Sequence, residues 1–122
     1  MVAMADIGLD FISNFKGKNI NHLWFDSCSK DKVVNAVYLD FGGPNIVYVA
    51  YRRWGNLGNS GFYTGVLTEK ELVNFFVEES ILSNSILENI LAIEQKAELV
   101  TNKGKLVLWY KEPNLFAAVE PK

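Results

Sequence analysis

Apolar positions along this chain change their spacing three times. Ile7, Leu9, Phe11, Ile12 and Phe15 recur at three- and four-residue intervals. That spacing predicts a short amphipathic helix, with Gly17 just past its end. His22 to Phe25 reads as a brief edge strand, and the polar run at 27–32 as a turn. From Val33 the period becomes two. Val33, Val37, Leu39 and Phe41 share one face, which Asn35 interrupts. Gly42-Gly43-Pro44-Asn45 then signals a hairpin loop. Ile46 to Trp54 is β-branched and aromatic, as a strand covered on both faces should be. Phe62 to Leu67 makes a third strand-like run, and the three together predict an antiparallel meander.

Beyond Thr68 the pattern looks helical. Thr68 and Glu71 have the capping-box spacing, followed by Leu72, Val73, Phe75, Phe76 and Val77. Ser85 and Glu88 repeat the signature ahead of Ile86, Leu87, Ile90, Leu91 and Ile93. A second helix is therefore expected there. AELVT and KLVLWYK flank Asn102-Lys103-Gly104 and predict a hairpin in which Gly104 supplies a positive φ. Leu115 to Val119 is expected as a last edge strand. The predicted fold class is α+β: a single domain, 1–122, with an antiparallel sheet (meander plus C-terminal hairpin) and helices packed on one face. The expected core is Leu72, Phe75, Phe76, Ile86, Ile90 and Leu91 against Val37, Leu39, Val47 and Val49.

The composition is 49% hydrophobic and 21% charged over 122 residues, which excludes a disordered chain. A net charge of -2 gives no global reason to expect a nucleic-acid partner. Cys28 is the only cysteine, so no intramolecular disulfide framework exists. The start lacks a basic leader, and no apolar run approaches membrane-spanning length. A cytoplasmic protein without membrane contact is expected.

Little in the sequence resembles chemistry. GNLGNSG at 55–61 joins two strands and has neither the dinucleotide nor the Walker spacing, so it reads as a hairpin loop. His22 and Cys28, with Asp26 as a possible orienting group, are the sole candidates for a catalytic pair. They read better as structural or surface residues. Asp6, Asp10, Asp26, Asp31 and Asp40 form no metal-binding motif. No catalytic residue, metal or cofactor is expected, and the chain reads as a non-enzyme.

Binding chemistry is easier to find. Arg52, Arg53, Trp54, Phe62 and Tyr63 are residue types that anchor interfaces. From Glu69 to Glu98 the acids are Glu69, Glu71, Glu78, Glu79, Glu88, Glu94 and Glu98, against Lys70 and Lys96 alone. That segment carries -5 and the rest of the chain +3. The two expected helices would thus present an acidic docking face. Glu69, Glu71, Glu78, Glu79, Glu88, Arg52, Arg53, Trp54 and Tyr63 are the candidate partner-binding residues.

In size, predicted class, lack of catalytic motif and acidic segment, the chain resembles small bacterial immunity proteins of contact-dependent growth inhibition systems. The resemblance rests on no specific motif. It implies a cytoplasmic inhibitor that binds and blocks a cognate, nuclease-like toxin domain. One alternative is a small-ligand or regulatory domain, with a pocket between helices and sheet lined by Trp24, Trp54 and Tyr63. Another is a hydrolase-like enzyme working through carboxylates.

Overall fold

A computed structural model describes residues 9–27, 32–54, 59–73, 77–93, 95–111 and 113–122. A 3-10 helix, Leu9–Phe15, precedes β1 (Asn19–Ile20), β2 (His22–Ser27), β3 (Val33–Asp40), β4 (Asn45–Trp54) and β5 (Asn59–Thr68). One helical turn, α1 (Glu69–Leu72), leads to β6 (Glu78–Glu79), β7 (Ser85–Ile93), β8 (Lys96–Thr101), β9 (Gly104–Lys111) and β10 (Asn114–Pro121). The α+β expectation is overturned. This is a β-rich antiparallel fold whose two described helices are short.

The ladder turns back on itself. Only Asn21 separates β1 from β2, and its N–H donates to the Asp40 carbonyl at 2.7 Å. β2 pairs β3, and the order continues through β10, β9, β8 and β7 to β1. β6 extends the β7 side of this ring along β2. On β3, Val33 and Val34 pair β10 while Val37–Leu39 pair β4, so the sheet forks at β3. The β4–β5 hairpin is the branch. One apolar core fills the space inside: Ile12, Ile20, Leu23, Val37, Leu39, Val47, Val49, Leu87, Leu99, Leu106 and Leu108 are all buried in it. A smaller cluster lies on the outer face of β2–β5, where Leu72 and Val77 cover Ala36, Tyr38 and Ile46.

The expected second helix is strand β7, and a bulge accounts for the error. Leu87 pairs Thr101 and Asn89 pairs Val100, so Glu88 is an extra residue. Leu87 and Ile90, three apart, consequently both face the core. That is helical spacing generated by a strand. Ser85 does not cap a helix. It is fully buried, and its hydroxyl donates to the Leu82 carbonyl at 2.5 Å. Ile86 and Leu91, expected in the core, are exposed. The same device resolves the Asn35 interruption. Register shifts between Asp26/Ala36 and Ser27/Val34, so Asn35 bulges outward while Val34 and Val37 both point inward.

The first capping box is real. Thr68 Oγ1 accepts from the Glu71 N–H at 3.2 Å, and the Glu71 carboxylate accepts from the Thr68 N–H at 2.8 Å. It caps a single turn, because pairing of Glu78 and Glu79 with β2 returns the chain to extended geometry. Phe75 and Phe76 lie outside the described residues. Leu115–Val119 belongs to β10, which is paired on both sides rather than being an edge. Likewise β2 runs between β3 and β6. The Asn102–Lys103 turn joins Thr101 to Gly104, whose φ is +144°. A Cβ at Gly104 would sit 2.5 Å from the Glu120 carbonyl, so only glycine lets β10 approach this closely.

Candidate functional site

Strand register assembles an aromatic row on the outer face of β2–β5. Trp24, Tyr38, Tyr48 and Gly65 stand directly opposite one another across the four strands, and Glu79 opposes Trp24 on β6. Side chains two apart share a face, which adds His22, Asp26, Arg52 and Tyr63 to this surface. The Tyr38 and Tyr48 ring centroids are 6.4 Å apart, and those of Tyr48 and Tyr63 6.2 Å. Tyr48 leans over Gly65, where an added Cβ would meet its ring at 2.6 Å. Gly65 thus serves a close approach of the Tyr48 ring.

Arg52 lies with its guanidinium carbon 4.0 Å above the Tyr63 ring. The guanidinium is exposed, and no described carboxylate is within ion-pair reach. Burial raises the Tyr48 hydroxyl pKa, as do the neighbouring Tyr63 and the hydrogen bond to it, while Arg52 pulls the other way. Tyr38 donates to Asp26 Oδ2 at 3.2 Å, and burial, with that carboxylate beside it, holds its hydroxyl far above the usual phenol range. These phenols stay neutral. Among the described residues this surface offers the half-buried rings of Trp24, Tyr48 and Tyr63 and the exposed Arg52 cation, which are groups that bind.

At the other end of the row, His22 Nδ1 lies 2.6 Å from Glu79 Oε2. The imidazole also stacks on Trp24, with centroids 5.0 Å apart. Hydrogen bonds from His22 and Ser83 hold the Glu79 carboxyl below the usual range. Ser83 Oγ in turn accepts the Leu23 N–H at 2.9 Å. This pair fastens β6 to β2. Asp26, the sequence candidate for orienting His22, is engaged by Tyr38 instead, and Cys28 lies outside the described residues. Among the described residues, no group of three or more His, Cys, Asp or Glu side chains is placed to hold a metal ion.

The candidate partner-binding residues separate into two groups. Arg52 and Tyr63 come together. Arg53 and Trp54 belong to β4, but their side chains lie outside the described set. The acids do not form one helical face. Glu69 and Glu71 lie within the single turn α1, Glu78 and Glu79 form β6, and Glu88 is the β7 bulge. Several are engaged locally: Glu71 caps its own turn, Glu79 holds His22, and Glu98 lies 3.2 Å from Lys105 and 3.7 Å from Lys96.

Tyr48 and Tyr38 were not among the expected site residues, and Asp26 entered only as a partner for His22 or as one of the scattered carboxylates. A signal was present. Counting outward from a three-residue turn at Gly42–Pro44 sets Tyr38 against Tyr48. Sequence reasoning also missed a second outer surface on β7–β10, where Trp109 and Phe116 stack with centroids 5.4 Å apart. Beside them Leu91, Ile93, Lys96 and Trp109 line a groove of about 570 Å³. Comparison with protein-family models, curated proteins and solved structures finds no match for the chain.

Proposed function

We propose that this chain is a non-enzymatic binding module for a protein partner, docking through the outer face of β2–β5. The exposed Arg52 guanidinium, seated on Tyr63 and lacking a described carboxylate, carries the reading. Arginine and tyrosine are enriched among the residues that dominate interface energetics, and a stacked guanidinium loses less freedom on binding. The second outer surface, at Trp109, offers apolar area, and its charges Lys96 and Glu98 pair with each other at 3.7 Å.

The specific form we carry forward is a cytoplasmic immunity protein that blocks a toxin domain. Size and the absence of a catalytic motif in the sequence support it. The acidic helical face that also suggested it does not exist as such. A pocket between helices and sheet, the small-ligand alternative, presupposes two helices, and one of these is strand β7.

Association kinetics with a toxin-like domain, where an adjacent gene encodes one, test the proposal. Arg52→Ala and Tyr63→Ala should each speed dissociation and cost about 2 kcal/mol or more. Glu78→Lys with Glu79→Lys should chiefly slow association at low salt. A tight complex indifferent to Arg52 and Tyr63 moves the docking face elsewhere. Absence of binding to that domain removes the immunity form.

A further inference from the structure

β5 pairs β4 along its whole length and has no strand on its other edge among the described residues. Edge strands normally carry charges, prolines or bulges that discourage pairing with another chain. Asn59–Thr68 has no charged residue and no proline, and its ladder with β4 is regular over all ten residues. Other edges are blunted. On β7 the bulge interrupts the edge, and Asn89 Oδ1 accepts the Ile90 N–H at 2.9 Å. β6 consists of two glutamates. The 3-10 helix that lies against β5 is anchored in the core by Leu9 and Ile12.

We propose that β5 pairs antiparallel with β5 of a second copy of this chain, about a two-fold axis at Thr64. The argument is size complementarity of the strand with its own reverse. In this register Tyr63 faces Gly65 of the second copy, and Gly61 faces Leu67. On the opposite face of the strand Phe62 meets Val66. Large therefore meets small at every outer-face position between residues 61 and 67, and no like charges are opposed. Val66, which is 50% exposed although its cross-strand partner Val47 is buried, gains a neighbouring strand on its open side, while Phe62 stays in the core of its own chain. Such a contact is isologous and closes at two subunits. Because paired residues stay on the same face, the two Arg52–Tyr63 assemblies come to lie on one continuous surface. This proposal stands independently of the toxin reading.

Sedimentation equilibrium of the full chain over a concentration series tests it, with hydrogen exchange of the β5 amides at the two extremes. The expected result is a dimer mass at high concentration, with β5 exchange slowing as the dimer forms. Val66→Lys adds a charge to the edge and should weaken dimerisation at least tenfold. Ile93→Lys, on the Trp109 surface, should leave it unchanged. A monomer at every concentration overturns the proposal, as does a dimer that Val66→Lys leaves intact or that Ile93→Lys dissolves. If Val66→Lys fails to fold, the wild-type exchange decides. β5 amides that exchange equally fast in monomer and dimer place the contact elsewhere.

Discussion

Leu87 and Leu91 are four residues apart in sequence and separated by a change of environment. Leu87 is fully buried, whereas Leu91 is 47% exposed beside the Trp109 groove. A helix would have buried both on one stripe. In the bulged strand, Leu87→Ala should cost about 2–5 kcal/mol and Leu91→Ala under about 1 kcal/mol. Urea unfolding of the two variants measures the difference, and equal costs would restore the helical phase. Position, more than residue type, decides the outcome here. The aromatic row shows the same dependence, since Tyr48 lies flat only because residue 65 has no Cβ.

Among the elements, β6 is only two residues long, and the His22–Glu79 pair ties it to β2. The native carboxyl pKa of Glu79 is depressed by its bonds to His22 and Ser83. Its contribution is therefore present above the unfolded glutamate pKa and lost as pH falls through the lower native value. Glu79→Gln should remove that part of the acid dependence while leaving the neutral-pH fold in place. Stability curves between about pH 3 and 7 for both proteins test this, and parallel curves would show the pair to be inert. The elements also show what the chain made legible. Val37, Leu39, Val47 and Val49 alternate regularly and are buried as expected, and the Asn102–Lys103 turn announces β8–β9. At Asn35 and Glu88 a single inserted residue breaks the period of two, and around Glu88 it imitates a helix. Arg52 and Tyr63 were readable as anchors by residue type. Tyr38 could be set against Tyr48 across the hairpin turn, whereas the Tyr38–Asp26 bond and the His22–Glu79 pair depended on the pairing of β2 with β3 and β6, which local spacing does not encode.

At the scale of the whole molecule, the C-terminal strands β7–β10 are joined by short connections and pair mostly with their neighbours in sequence. The ring around them is completed by contacts of another kind: Leu115 with Val34, and at the β1 seam Asn19 with Ile86 and Ile20 with Ser85. Bringing such distant residues together carries a loop-closure penalty before any packing rewards it. Closure should accordingly come after the rate-limiting step, once the C-terminal meander has formed. Ile20→Ala, which empties a fully buried position at the seam, should then accelerate unfolding several-fold and leave the refolding rate nearly unchanged. Stopped-flow chevrons decide the matter, and slowed refolding would put the seam in the nucleus. A ring fastened last is also a ring opened first. On that order of events the two-residue strand β1 sets how long the native protein persists, although Ile20 is its sole contribution to the core.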